Sequence, residues 1–336
     1  MSRPIALATA LFFATSAYAD APRVVADIAP LHSLVAKVMG DVEQPTLLIE
    51  TTASPHSYAL RPSQASALEN ADVVFFTSQG LTPWIMTPLE TLANNALVVE
   101  VMTEDSLVHF EYRESGGDHD HGHGHGDDHD DDGHDEHEGE DHADEHSDDH
   151  ADAHDAAHSD DHSDEGLDPH GWLDPENAKS WLSQIADTLS KQDPANAKIY
   201  RDNAQTAAKE IDGLTDAIRA QLAPVKGKPY LVLHDAFQYF DRRFELDFAG
   251  GIALGDASAP SPARIAKAQD VLKDRNVACV FTEPQQNDKL VKVVIEGTSV
   301  KLGQLDAIGA RLSPGPELYA ALLQGLADSF EICAEG

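Results

Sequence analysis

Long apolar runs, cysteines and basic residues are all scarce in this sequence, and each shortage excludes a class of protein. The only extended apolar run, at residues 5–15, is too short to span a bilayer. There are 23 Lys and Arg residues against 59 Asp and Glu residues, which gives a formal net charge of −36. Such an acidic chain is a poor partner for nucleic acid or anionic lipid, and its charge favours cations.

The first residues have the layout of a secretory signal peptide. Arg3 precedes the apolar run, and Ala17, Tyr18 and Ala19 form a small-residue cleavage site. We therefore predict a signal peptide over residues 1–19 that is removed on export. No cysteine lies near the cleavage site to carry a lipid anchor, so the mature chain should be soluble, without membrane insertion.

The chain has two cysteines, Cys279 and Cys333. In an exported protein an even pair predicts one disulfide. Two separate buried thiols are the alternative.

Apolar runs of strand length alternate with helical stretches on both sides of one polar insert. The predicted strands lie at residues 24–28, 46–49, 73–76, 97–101, 230–233, 277–281 and 300–305. The helices whose bounds we predict lie at residues 194–222, 237–244, 263–275, 288–296 and 316–332. This alternation predicts an α/β protein with two lobes, each a mostly parallel sheet with flanking helices, joined by one long helix. We assign the N-terminal lobe to residues 20–193, the linking helix to 194–223 and the C-terminal lobe to 224–336.

The insert, at about residues 115–166, holds 13 of the 18 histidines. Between Glu114 and Glu165 there are 23 acidic residues and no Lys or Arg. With almost no apolar side chains it is predicted to be disordered and to be an accessory metal-binding loop, the alternative being a solvated acidic loop. Its histidines are His119, His121, His123, His125, His129, His134, His137, His142, His146, His150, His154, His158 and His162.

Three of the five remaining histidines stand in similar loop positions. His56 follows the strand at 46–49, His170 comes just after the insert, and His234 follows the strand at 230–233, where we expect it to open the next helix. Any one of them alone fits a structural histidine better than a ligand. Together, beside a histidine-rich insert and near strand ends, they predict a shared metal site. Three neutral imidazoles suit Zn²⁺ better than Mn²⁺ or Mg²⁺.

Five stretches of the sequence resemble the solute-binding proteins that serve zinc and manganese ABC importers, specifically the zinc (ZnuA-type) branch. They are residues 54–63 (SPHSYALRPS), 168–175 (DPHGWLDP), 233–240 (LHDAFQYF), 279–285 (CVFTEPQ) and 302–306 (LGQLD). The resemblance covers nearly the whole mature chain.

The resemblance implies two α/β lobes bridged by a rigid helix, with the metal in the cleft between them. His56 and His170 would come from the first lobe and His234 from the second. Asp306 stands where family members offer a carboxylate, so Asp306 or a water is expected as the fourth ligand. The manganese branch has a carboxylate at the position of His234. Glu283 is expected to support the site rather than bind the metal.

These observations predict a monomeric, non-enzymatic protein of the periplasm that captures Zn²⁺ with high affinity and delivers it to an ABC permease. One alternative is a histidine-rich periplasmic zinc store or chaperone, in which the insert is the whole function. The other is a secreted zinc hydrolase, which needs a general base such as the Glu of an HExxH motif. No such motif occurs in the sequence.

Overall fold

The structure, a computed structural model, describes residues 21–104, 106–113, 166–253 and 260–334. The predicted signal peptide and the histidine-rich insert with its 13 histidines lie outside the described residues.

The first sheet has four parallel strands, and its order is β2-β1-β3-β4. The strands are β1 (Val24–Ala26), β2 (Thr46–Leu47), β3 (Val73–Phe76) and β4 (Leu97–Glu100), and the helices between them are α1 (Ala29–Met39), α2 (Pro62–Glu69) and α3 (Met86–Leu92). Each residue of β1 and β3 is buried, whereas β4 is exposed or half-buried. This difference explains the continuous apolar runs, because the inner strands of a parallel sheet are covered on both faces.

Two helices, α4 (Pro175–Gln192) and α5 (Ala197–Leu222), connect the sheets and pack against each other. Asp174 caps α4, since its carboxylate accepts a hydrogen bond from the Glu176 backbone N–H at 2.8 Å. The predicted start of α5 at Pro194 is wrong by three residues. Pro194 lies in a turn in which the Asp193 carboxylate accepts bonds from the Asn196 side chain and the Tyr200 hydroxyl.

The second sheet repeats the topology of the first, with four parallel strands in the order β6-β5-β7-β8. The strands are β5 (Tyr230–Val232), β6 (Phe248–Gly251), β7 (Cys279–Thr282) and β8 (Lys301–Gln304), and the helices are α6 (Gln238–Phe244), α7 (Pro262–Asp274), α8 (Lys289–Val294) and α9 (Leu318–Ala334). The parallel α/β architecture with flanking helices and a long connecting helix confirms the predicted fold class.

One apolar core extends across both sheets. It includes Phe75 of β3, Ile211 of α5, Tyr230 of β5 and Phe330 of α9. The boundaries at residues 193 and 223 between the predicted lobes and linking helix stay predictions. None of the described helices is long and apolar enough to cross a membrane.

Cys279 and Cys333 form a disulfide, with their Cα atoms 6.1 Å apart, as predicted. The bond joins the first residue of β7 to the last turn of α9. It therefore ties the final helix to the sheet at the strands' amino ends, while the histidines that follow β2 and β5 lie beyond the strands' carboxyl ends.

Candidate metal centre

The structure brings His56, His170 and His234 together. One nitrogen of each imidazole lies within 4.8 Å of the nitrogens of the other two. The ring centroids are 5.5 Å apart for His56 and His170, 5.7 Å for His56 and His234, and 5.2 Å for His170 and His234. Donors that share a tetrahedral zinc ion at zinc–nitrogen distances of about 2.0–2.1 Å lie roughly 3.3 Å apart, so the spacing of the three nitrogens is on the scale of a zinc site.

His56 lies in the loop between β2 and α2 and is half-buried. The Trp84 indole N–H donates to the Pro55 carbonyl at 2.8 Å, which fixes the backbone directly before the histidine. On the other side, the Gln64 side-chain amide donates to the Tyr58 hydroxyl at 2.8 Å. The loop is thus held at both ends, and its imidazole faces the other two.

His170 is 3% exposed and is held by Asp168. Asp168 Oδ1 accepts hydrogen bonds from the His170 backbone N–H at 3.0 Å and from His170 Nδ1 at 2.7 Å. The Trp172 ring lies 5.3 Å from the imidazole. A Cβ atom at Gly171 would overlap the sulfur of Met102, so a larger residue there would have to displace the Met102 side chain.

His234 is 7% exposed and follows β5. Its Nδ1 lies 3.1 Å from Glu283 Oε1, and Glu283 follows β7, the neighbouring strand. The predicted helix start at His234 is wrong, because α6 begins only at Gln238 and His234 lies in a bend. The bend lets the imidazole project beyond the carboxyl ends of β5 and β7, where ligands gather in α/β sheets.

The carboxylates of Asp168 and Glu283 determine which ring nitrogen of His170 and of His234 is available to bind a metal. A carboxylate beside Nδ1 accepts the Nδ1–H, so that the lone pair is on Nε2. His170 and His234 therefore present Nε2 to the common space. Carboxylate partners of this kind also raise the basicity of the imidazole as a metal ligand. The expectation that Glu283 supports the site fits this geometry, whereas the equivalent role of Asp168 was not predicted from the sequence.

Carboxyl groups with raised pKa values lie close to His170 and His234 in the chain. Burial raises the pKa of Asp168 to about 7, although the His170 backbone N–H and the charge of Arg113 lower it. Burial also raises the pKa of Asp235 to about 6, against the effect of Arg113. A bound cation favours the ionised form of such groups, so the surroundings suit a positively charged ligand.

Asp306 is not a member of the histidine group found among the described residues. Its Oδ1 accepts hydrogen bonds from the backbone N–H groups of Gly309 at 2.8 Å and Ala310 at 3.0 Å. The carboxylate thus stabilises the turn after β8. The assignment of Asp306 or a water as the fourth ligand stays a prediction.

The other two histidines outside the insert have separate roles. His32 is buried in α1 with its Nε2 3.0 Å from the Pro45 carbonyl oxygen. The half-buried His109 has its Nε2 3.2 Å from the Glu104 carbonyl oxygen. Both contacts are structural.

Comparison with known proteins points to one family. Residues 24–333 match the family described as "ZnuA: Zinc-uptake complex component A periplasmic". The high-affinity zinc uptake system protein ZnuA of Brucella abortus (strain 2308) is 44% identical over 324 residues, covering 96% of this chain and 94% of that protein. The protein of the same name from Paracoccus denitrificans (strain Pd 1222) is 44% identical over 337 residues, covering 99% of both.

Solved structures share the fold. A crystal structure of ZnuA matches with a TM-score of 0.70 at 20% identity, over 94% of this chain and 100% of that one. The solute-binding protein FpvC of Pseudomonas aeruginosa in complex with Mn²⁺ matches with a TM-score of 0.70 at 21% identity, over 94% and 98% of the two chains.

Proposed function

Because this chain belongs to the ZnuA family of zinc-uptake components, we propose that it is a periplasmic solute-binding protein that captures Zn²⁺ and delivers it to the permease of an ABC importer. The observation that carries the proposal is the group of three imidazoles beyond the carboxyl ends of β2 and β5. Zinc is the cargo in this function, and the chain carries out no reaction on it.

The donor chemistry supports zinc as the cargo. Imidazole nitrogen is a borderline donor that suits Zn²⁺, whereas Mn²⁺ prefers sites rich in carboxylate and water oxygen. Two of the three rings are held by buried carboxylates, so the site is largely arranged before metal arrives. The preformed geometry should favour tight binding, since few side chains must be ordered on capture.

The uneven exposure of the ligands suggests a direction of access. His56 is half-buried, whereas His170 and His234 are buried. Solvent therefore reaches the group on the side of His56, and we propose that zinc arrives and departs there. Each imidazole binds metal only in its neutral form, so acidification should weaken binding and promote release.

Zinc titration of the mature protein tests the proposal. With a competing chelator that keeps weak sites empty, we expect one tight site per chain. His56→Ala, His170→Ala and His234→Ala should each weaken that site by about 100-fold or more, since each removes one of three protein ligands. His109→Ala is the matched control, because it removes an imidazole that contacts a backbone carbonyl outside the group.

The titration, together with a hydrolysis assay of the zinc-loaded protein, separates the alternatives. Many equivalent weak sites without a tight one would indicate a zinc store. Zinc-dependent hydrolysis of ester or peptide substrates by the loaded protein would indicate a hydrolase. Wild-type affinity in any one of the three variants would exclude that histidine as a ligand.

A further inference from the structure

The described residues on either side of the insert form a short stem, made of residues 110–113 and 166–168. Glu111 and Leu167 pair as an antiparallel bridge. The Tyr112 backbone N–H donates to the Gly166 carbonyl at 2.9 Å, and the Asp168 N–H donates to the Phe110 carbonyl at 2.8 Å. The stem ends at Asp168, the residue that holds His170, so any displacement of the stem displaces that imidazole.

Helix α6, which begins four residues after His234, contacts both segments of the stem. The Phe110 backbone N–H donates to the Tyr239 hydroxyl at 3.2 Å, and that hydroxyl donates to the Asp168 carbonyl at 2.9 Å. The Gln238 side-chain amide donates to the Glu111 carbonyl at 3.1 Å. The stem and α6 thus connect the segment that carries His170 with the segment that carries His234.

Arg113 makes the charged contacts between the stem and the segment that follows His234. Its Nη2 donates to both carboxylate oxygens of Asp241, at 2.7 and 2.6 Å, and its Nε donates to Gln238 Oε1 at 3.0 Å. The same Nε lies 3.7 Å from Asp235 Oδ2, the carboxylate next to His234 in the chain. The guanidinium also lies 3.8 Å from the ring centroid of Phe248, and its side chain is only 13% exposed.

We propose that Arg113 is a positioning residue for the metal centre, which holds the stem leading to His170 against the segment that follows His234. It touches neither imidazole in the contacts described above, so it acts through Asp241, Gln238 and the stem. The inference rests on the proposed function, because it assumes that the three histidines bind zinc. A planar guanidinium can contact a carboxylate, an amide and an aromatic face at the same time, which an ammonium group cannot reproduce.

The test uses the full mature chain and three variants. We expect Arg113→Gln to weaken tight zinc binding by about tenfold or more, mainly through faster dissociation, because two ligand segments lose their fixed separation. Arg113→Lys should recover part of that loss. Tyr239→Phe, which removes the hydroxyl between Phe110 and Asp168, should weaken binding in the same direction.

The measurements are the zinc dissociation constant and dissociation rate by chelator competition, together with the visible absorption spectrum of the protein with one equivalent of Co²⁺. A purely structural role would lower the unfolding temperature of the zinc-free protein and leave the cobalt spectrum unchanged. Arg23→Gln is the matched control, since it breaks the exposed ion pair between Arg23 and Asp72 at the first strand. It should alter neither affinity nor spectrum.

Two results would overturn the inference. One is a folded Arg113→Gln protein with the wild-type zinc dissociation constant and cobalt spectrum. Should neither Arg113 variant fold, a folded Tyr239→Phe protein with wild-type affinity would be equally decisive. If the wild-type chain itself lacks tight zinc binding, the proposed function fails instead, so the two failures are distinguishable.

Discussion

The imidazole of His234 lies against Glu283, and this pair gives a direct test of how the site is arranged. Glu283 is 4% exposed, and its Oε1 also accepts a hydrogen bond from the Gln286 side chain at 2.8 Å. Glu283→Gln keeps the shape but removes the charge that holds the Nδ1–H. We expect zinc affinity to fall by about 10–100-fold, measured by chelator competition. Glu296→Gln, a change at an exposed position after α8, should leave zinc affinity unaltered, and equal affinities in the two variants would contradict the prediction.

Replacing His234 with glutamate should alter metal preference. A hard oxygen donor then takes the place of a nitrogen, so the ratio of zinc to manganese affinity should fall by about tenfold or more. The structure adds a complication, because the new carboxylate stands beside Glu283 and like charges repel. The double variant His234→Glu with Glu283→Gln should therefore bind Mn²⁺ more tightly than His234→Glu alone. Isothermal titration with each metal checks both expectations, and an unchanged ratio would show that position 234 does not set the preference.

Single residues also show what the sequence could reveal about the site. The grouping of the three histidines could be predicted because all three stand in similar loop positions near strand ends, beside a histidine-rich insert. Asp168 could not be assigned, since an aspartate before a proline and a histidine also fits an ordinary turn. Arg113 gave no signal at all, because its partners Gln238 and Asp241 are more than 120 positions away along the chain.

At the level of elements, burial decided which strands could be predicted. The inner strands β1, β3, β5 and β7 are buried along their length and appear as apolar runs in the sequence. Strand β6 could not be predicted because its sequence, Phe-Ala-Gly-Gly, lacks β-branched residues. The strand is defined by its pairing with β5. Helix α4 is not among the helices predicted from the sequence, although Asp174 and Pro175 give it an ordinary start signal.

The disulfide between β7 and α9 should stabilise the fold without affecting metal binding. It closes a loop with a sequence separation of 54, and the chain-entropy model assigns about 4 kcal/mol to a loop of that length. Replacing both cysteines with alanine should lower the free energy of unfolding in urea by a similar amount. Zinc affinity should be unchanged, because the bond lies at the opposite end of β7 from Glu283. A loss of affinity in the folded variant would show that the two ends of the sheet are coupled.

The whole molecule joins two sheets of the same topology through a shared core, and the three clustered histidines come from both sides of that core. His56 belongs to the first sheet's loops and His234 to the second sheet's, while His170 is tied to α6 through the stem. Trp84 and Gln64, which hold the loop that carries His56, belong only to the first half of the chain. Any relative movement of the sheets would therefore separate His56 from the other two.

The insert is expected to be an accessory to this site, and its deletion is the broadest test. All three clustered histidines lie in the described residues outside it, and the stem brings Tyr112 and Gly166 within hydrogen-bonding distance at 2.9 Å. A short connection can therefore replace residues 116–165 without moving Asp168 or His170. The insert has 13 histidines but almost no apolar residues, so metal sites within it must order the chain at each binding event and should be weaker than the preformed group.

We expect the deletion protein to fold, to keep one tight zinc site with wild-type affinity, and to lose the additional weak sites that we expect in the intact chain. Isothermal titration of both proteins counts the sites, and thermal unfolding with and without zinc confirms the fold. In cells, impaired growth only when zinc is scarce would indicate that the insert collects metal, whereas deregulated uptake when zinc is plentiful would indicate that it senses metal. If the deletion abolishes tight binding while the protein stays folded, the insert must supply a primary ligand, because the imidazoles of His56, His170 and His234 would then be insufficient by themselves.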